Sequence, residues 1–409
     1  METAMPYDRL TDLLQRQLDQ LSAERRRKGF ERVITERIPG DGIRGPRYRV
    51  AGYDQVFIRM NSNSYLGLAS DPRLIEAAES ATHRFGVGPG AVRFISGTLA
   101  PHVELEQRLA AFHHRESAML FSSAYATVLS VITSLTTPDT AIISDELNHN
   151  CIINAIRLAR PREKLVYRHL DLDQLDAALA QASRSCRRAI VITDGIFSMR
   201  GVHAPLDRIA DIVARHDVAF AENVLLIVDD SHGVGAFGAT GRGCEEYCGA
   251  QADLLIGTLG KAFGANGGYV TGPQVLIDSL RETSPTYIYS NPITAAEASA
   301  AITALAILDS AEGQERLAHL RAMTARFRQG LRDNGFETLP GDHPVAPLFV
   351  RDPAATAALV DQLFARGVLA TAIMYPVVPR GDDSIRFQIS AEHTAADIDE
   401  ALAALQNAR

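Results

Sequence analysis

Residues 224–228, Val-Leu-Leu-Ile-Val, run apolar without alternation and end on Asp229-Asp230-Ser231-His232. A strand with one wetted face alternates polar and apolar residues, so this run predicts a strand covered on both faces, as in a parallel sheet flanked by helices. The pattern repeats between about residues 60 and 295, where β-rich runs at 117–122, 141–144, 164–167, 189–193, 225–229 and 254–257 are separated by helical periodicity. Such alternation predicts an α/β domain with a mostly parallel central sheet. Ligands of these sheets bind beyond the carboxyl ends of the strands. Polar groups gather at those ends here: Ser122 and Ser123, Asp145 with His149, Asp194 with Ser198, Asp229 with His232, and Thr258 with Lys261.

With 409 residues, 46% of them hydrophobic and 22% charged, the chain can bury more than one core. Three parts are expected: an amino-terminal helical arm over 1–60, a large domain over 61–295, and a smaller α+β domain over 296–409 with strands at 347–350 and 385–389 and a terminal helix. In the arm, Leu10, Leu13, Leu14, Leu18 and Leu21 fall at helical spacing before the solvated run Arg25-Arg26-Arg27-Lys28, and a Gly/Pro/Arg-rich stretch over 39–46 follows. A net charge of −8 argues against a nucleic-acid or anionic-membrane partner, which needs a basic face. Four cysteines without a paired framework, and no apolar span, point to a reducing cytoplasm. Cys244 and Cys248 lack a second ligand pair, so no metal site is expected.

Gly257-Thr258-Leu259-Gly260-Lys261-Ala262-Phe263-Gly264 sets one lysine on a glycine-relieved turn with a hydroxyl three residues earlier. Alone, such a lysine reads as a solvated loop residue. With Asp229 and His232 upstream it reads as a pyridoxal phosphate site: an amine that can be held neutral, a phosphate anchor, and an acid to keep the pyridine nitrogen protonated. Gly233, Gly235 and Gly238 satisfy a dinucleotide fingerprint in form only. Three residues intervene after the strand, and Thr240-Gly241-Arg242-Gly243 continues as loop where a helix must open.

Asn63-Ser64-Tyr65-Leu66-Gly67-Leu68, Val92-Arg93-Phe94-Ile95-Ser96-Gly97-Thr98, the strand-end motifs and Tyr375-Pro376-Val377-Val378-Pro379, Arg386 and Ser390-Ala391-Glu392-His393-Thr394 occur in order along the chain. As a set they resemble the α-oxoamine synthase family, and segments 92–98, 142–149 and 375–394 are most similar to its glycine C-acetyltransferase branch. The resemblance implies a fold-type I pyridoxal phosphate fold and condensation of an amino acid, glycine first, with an acyl-CoA, acetyl-CoA first. Serine or alanine with a longer acyl-CoA or carrier-bound acyl group is the alternative within the family, and an aminotransferase or lyase the alternative outside it.

The resemblance also assigns roles. Lys261 is the Schiff-base lysine and then the base; Asp229 faces the pyridine nitrogen; His149 stacks on the ring; His232 and Ser198 lie near the phenolic oxygen. The phosphate falls to Ser123, Ala124, Tyr125 and Thr258, with Ser290 supplied by a partner subunit, which implies a homodimer. Asn63 and Arg386 bind the substrate, Arg386 by its carboxylate, and Gly86, Gly88 and Gly90 flank the approach. Arg200, Val128 and Ala91 depart from the family pattern and imply altered substrate polarity or donor, and 217–223 is longer than usual.

Overall fold

The computed structural model describes residues 7–24, 27 and 31–408. The expected amphipathic helix spans Asp8–Ala23, but none of its residues is buried, and Leu10, Leu13, Leu14 and Leu18 stay exposed. Arg25, Arg26 and Lys28 of the basic run lie outside the described residues. Strands β1 (Ile34–Ile38), β2 (Arg47–Val50) and β3 (Val56–Arg59) then form an antiparallel ribbon.

Strands β4 (Ser117–Phe121), β5 (Thr140–Asp145), β6 (Glu163–Tyr167), β7 (Arg188–Asp194), the short hairpin β8 (Ile196–Phe197) and β9 (Val202–His203), β10 (Val224–Asp229), β11 (Leu254–Thr258) and β12 (Gly268–Gly272) follow. The seven longer ones form the central sheet in the order β4-β12-β11-β10-β7-β5-β6. Pairing is parallel except at β12, which runs antiparallel to both β4 and β11. This strand was not among those expected from the sequence; its run, Gly-Tyr-Val-Thr-Gly, carries a glycine at each end that weakens the strand signal.

Successive residues of β7 and β10 serve opposite faces. Ile190, Ile192 and Ile227 pack with the helices Ala124–Leu135 and Asn150–Ala159, while Val191, Leu226 and Val228 pack with Leu172–Ala182 and Leu206–Asp217. Burial on both faces accounts for the continuous apolar runs. In register, Asp229 lies opposite Asp194 on β7 and Ile256 on β11, so these strands end level with one another. That shared edge brings the polar strand ends together.

Beyond β10 the backbone passes through turns, and a helix opens only at Cys244–Cys248. The glycine pattern at 233–238 is therefore a loop. The thiols of Cys244 and Cys248 donate separately to the carbonyls of Gly195 (2.9 Å) and Ala204 (3.5 Å).

The carboxyl-terminal part contains β13 (Glu337–Thr338), β14 (Val345–Phe349), β15 (Val368–Leu369), β16 (Thr371–Ile373) and β17 (Ser384–Gln388), with helices Ala311–Asp333, Pro353–Ala365 and Ala395–Gln406. Its antiparallel sheet has the order β13-β14-β17-β16. β15 instead pairs in parallel with β3, so residues 34–59 of the arm join a sheet with residues 368–369.

Candidate active site

Lys261 follows β11 on a turn held by its own backbone. Leu259 N donates to Gly267 O (3.0 Å), Ala265 N to Leu259 O (3.0 Å) and Gly264 N to Lys261 O (3.1 Å). Gly264 has φ 68°, and a Cβ there would stand 2.4 Å from Ala69 N, so only glycine closes the turn. The Thr258 hydroxyl donates to Gly267 O and accepts from Gly260 N, both at 3.2 Å, and so braces the same turn. Burial lowers the Lys261 ammonium to about 8, against the opposing pull of Asp229.

Lys261 shares a cavity with Asp194, Asp229, Ser198 and His232, while His149 and Cys151 line it from the start of the next helix. Asp229 is buried, and its Oδ1 accepts from Ser231 Oγ (2.6 Å) and Ser231 N (3.1 Å). Its Oδ2 lies 3.7 Å from Cys151 Sγ. Asp194 accepts the His149 N–H at Oδ2 (3.1 Å). Burial, then the charge on Asp229, pushes the Asp194 carboxyl well above the usual carboxylate range.

Asn148 positions His149. Its amide nitrogen donates to Ser144 Oγ (2.9 Å) and Ile192 O (2.8 Å), and its oxygen accepts from Asp194 N (2.9 Å), which ties the ends of β5 and β7 together. His149 is the N-cap of Asn150–Ala159. Burial lowers its pKa further below neutrality, with Asp229 opposing and the charges of Lys261 and Arg386 assisting, so the imidazole is neutral.

Ala124 and Tyr125 also line the cavity, at the N-terminus of Ala124–Leu135. Ser123 Oγ accepts from Ala126 N (3.1 Å) and Ser123 O from Thr127 N (3.0 Å), which leaves the Ala124 and Tyr125 N–H groups facing outward for an anion. A Cβ on Gly268 would stand 2.2 Å from Ala124 N, so β12 can run beneath this helix start only with glycine there.

On the opposite wall, the Tyr65 hydroxyl lies 2.7 Å from His232 Nδ1 and 3.5 Å from Asn63 Oδ1, and it feels the charge of Arg386. Arg386 on β17 donates from Nη2 to Asn63 Oδ1 (2.9 Å). It is 9% exposed, and among the described residues no carboxylate pairs with it. Burial pulls its pKa down, while His149, His232 and Lys261 all feel its charge. His232 is driven well below its ordinary value, first by burial and then by those cations.

The sequence-named residues thus divide. Lys261, Asp229, His232, His149, Ser198, Ala124 and Tyr125 line one cavity, and Asn63 with Arg386 meets it through Tyr65. Ser123 and Thr258 are engaged in capping and bracing rather than lining it. Ser290 stands after the short helix Pro285–Ile288, beside a Tyr289 that is 82% exposed, and does not line its own chain's cavity. Gly86, Gly88 and Gly90 border open space. Val128 is fully buried in the core, so its departure from the family pattern adds no apolar surface to the cavity. Arg200 pairs with Asp382, which neutralises the positive charge its position suggested. The 217–223 segment is a tight turn in which Asp217 accepts from Val224 N (2.8 Å) and Asn223 Nδ2 (2.9 Å). Tyr65, Cys151 and Asp194 were given no role from sequence; their signal was adjacency to Asn63, His149 and Ser198.

A neutralisable lysine, an aspartate at the sheet edge, a helix N-terminus and a neutral histidine on one cavity fit pyridoxal phosphate. The architecture is that of fold-type I pyridoxal phosphate enzymes. The aminotransferase class I and II family matches residues 55–405. The chain is 39% identical to 8-amino-7-oxononanoate synthase of Thermosipho melanesiensis, covering 84% of this chain and 86% of that one. It is also 39% identical to the mitochondrial 2-amino-3-ketobutyrate coenzyme A ligase of Mus musculus, over 91% and 87%. Among solved structures, Sphingomonas wittichii serine palmitoyltransferase superposes with a TM-score of 0.88 at 26% identity, over 99% and 98%. A structure of SPT with PLP superposes with a TM-score of 0.86 at 25% identity, over the same shares. The chain belongs to the aminotransferase class I and II family and, within it, to the pyridoxal-phosphate-dependent α-oxoamine synthases. Among the described residues no helix is long and apolar enough to cross a membrane.

Proposed function

We propose that the protein is a C-acyltransferase that joins glycine to the acyl group of acetyl-CoA. The observation that carries the amino-acid half is Arg386: a buried guanidinium with an amide partner and no carboxylate among the described residues, set where Lys261, His149 and His232 feel it. A buried cation without a counter-ion is costly, and an amino acid's carboxylate supplies one in bidentate form. Asn63 holds the guanidinium in place for that grip.

Pyridoxal phosphate, when bound, supplies the electron sink for the pair left at Cα when its proton departs. Lys261 holds the cofactor, and once released its amine, neutral above about 8, takes the Cα proton. Asp229 would keep the pyridine nitrogen of the bound cofactor protonated. The N–H groups of Ala124 and Tyr125 receive the phosphate at the helix start. Ser198 and His232 serve the phenolic oxygen, and Thr258 acts by bracing the lysine turn. His149, neutral and on the same cavity, donates to the thioester carbonyl oxygen as negative charge grows there.

Glycine and acetyl-CoA are favoured by the likeness of segments 92–98, 142–149 and 375–394 to the glycine C-acetyltransferase branch and by the Mus musculus relative. The Thermosipho relative and the serine palmitoyltransferase neighbours support the second reading, another amino acid with a longer acyl donor. We further propose a homodimer in which Ser290 serves the partner's phosphate site; Tyr289, Phe94 and Ile95, 82%, 67% and 68% exposed, are apolar surface that a second copy would cover. Free thiol release, followed with glycine, alanine, serine or threonine and acyl-CoAs of increasing length, tests the reading. Release with glycine and acetyl-CoA supports it; release only with another pair reassigns the substrates; amino-acid binding without thiol from any donor rejects acyl-CoA transfer.

A further inference from the structure

Cys151 is the one thiol on the cavity, and the reading above gives it no task. Its side chain is 1% exposed, with Sγ 2.9 Å from His149 Nδ1 and 3.7 Å from Asp229 Oδ2. Its backbone N–H also points at His149 Nδ1, at 3.3 Å. That second contact, long at 3.3 Å, biases the proton arrangement, and the thiol completes it. A backbone N–H has no lone pair to offer, so Nδ1 must be the acceptor and the ring proton must sit on Nε2. A sulfur 2.9 Å from an unprotonated Nδ1 would then set lone pair against lone pair unless the thiol hydrogen lies between them. The single S–H therefore goes to Nδ1 rather than to Asp229, and the Asp229 Oδ2 oxygen is left for the cofactor. Burial and the Asp229 charge raise the thiol's pKa, which keeps that hydrogen in place.

We infer that Cys151 is a positioning residue: its thiol and backbone N–H together lock His149 in the Nε2–H tautomer and present that proton to the substrate carbonyl. The inference rests on the proposed acyl transfer for its catalytic meaning, but not for its structural content. A thioester oxyanion needs a donor already aimed at it, and a ring free to exchange tautomers or flip offers one only part of the time. Serine keeps the donor at this position; alanine leaves only the longer backbone bond.

The test uses the holoenzyme with ring-15N-labelled histidine, His149 being assigned by a His149→Gln variant, and reads the tautomer from long-range 1H–15N correlations. Wild type and Cys151→Ser are expected to show Nε2–H alone. Cys151→Ala is expected to show a mixture, with kcat about tenfold lower and the amino acid KM within about twofold, while Cys151→Ser stays within about threefold of wild type. An Nδ1–H ring in the wild type overturns the inference, as does a Cys151→Ala enzyme that changes tautomer without kcat or kcat without tautomer. If Cys151→Ala does not fold, the wild-type and Cys151→Ser tautomers decide. If no thioester yields thiol, the acyl-transfer reading falls while the tautomer measurement still judges the Cys151–His149 contact.

Discussion

The Tyr65 hydroxyl lies 2.7 Å from Nδ1 of His232 and 3.5 Å from the Asn63 Oδ1 that accepts from Arg386, so one phenol connects the proposed cofactor and carboxylate sites. With His232 driven well below its ordinary value, its ring holds one proton, and placing that proton on Nε2 lets the phenol O–H donate to Nδ1. Tyr65 is fully buried, and burial pushes its pKa up to about 12, so it holds that proton throughout the working range. Tyr65→Phe strands a buried imidazole nitrogen, a loss of about 1–3 kcal/mol. We expect kcat/KM to fall about 10- to 100-fold, with part of the loss in the amino acid KM because Asn63, which holds Arg386, loses the neighbouring hydroxyl. Steady-state kinetics with each substrate varied checks this; a lowered melting temperature with kcat/KM unchanged would make Tyr65 purely structural.

Lys261 is expected to titrate near 8, because its loss of hydration outweighs the attraction of Asp229. The chain carries only three lysines, Lys28, Lys164 and Lys261, which makes the measurement simple. In the cofactor-free protein, acylation of Lys261 by a small uncharged reagent should rise through pH 8, about two units below an ordinary lysine. Peptide mass spectrometry across pH 6–11 reads the midpoint, using trace reagent. Lys261→Ala should abolish acyl transfer, and residual turnover above about 0.1% of wild type would sink the assignment of the base.

Arg386→Lys keeps the charge and loses the planar fork. If Arg386 grips the amino acid's carboxylate, KM for the amino acid should rise about 10- to 100-fold while kcat changes only a few-fold, the signature of lost uniform binding. An unchanged KM would remove Arg386 from the substrate site.

How much of this was legible in the sequence follows from what kind of interaction made each part. The central sheet was readable because burial on both faces writes an unbroken apolar run, as in Val224–Asp229, and because strand-end polar residues follow each run directly. β12 escaped because its two glycines serve close approach to neighbours, a need that resides in Ala124 for Gly268 and in Leu254 and Asp253 for Gly272, and not in the strand itself. The β3–β15 pairing joins positions about 300 residues apart and leaves no local pattern. In the site, residues of strong chemical type such as Lys261 and Asp229 announced themselves, whereas Tyr65 and Cys151 act through contacts that exist only after folding.

Arg200 illustrates the limit from the other side. Its sequence position suggested added positive charge at the rim and an altered donor, but the structure spends that charge on Asp382, which also accepts from Arg351 (2.9 Å). Arg200→Ala leaves Asp382 with a partner, so the stability cost should be below about 1 kcal/mol. Relative kcat/KM for two acyl donors should stay within about twofold of wild type. A shifted donor preference in that competition would return Arg200 to the substrate path.

Asp194 and Asp229 face each other in register, and close carboxylates in a shared buried site do not both ionise readily. Burial and the Asp229 charge raise the Asp194 carboxyl well above the usual carboxylate range. Its Oδ2 accepts the His149 N–H, a bond that an asparagine oxygen can take, so if Asp194 works as the protonated acid an amide nearly matches it. Asp194→Asn should therefore keep kcat within about threefold. Asp229→Asn removes the carboxylate proposed to keep the pyridine nitrogen protonated and should cost at least about 100-fold. If the two variants lose activity equally, both carboxylates are ionised in the working enzyme and the division of roles argued here fails. If Asp194→Asn alone is damaging, the negative charge that matters is on β7, and the proposed partner of the pyridine nitrogen has to be reassigned.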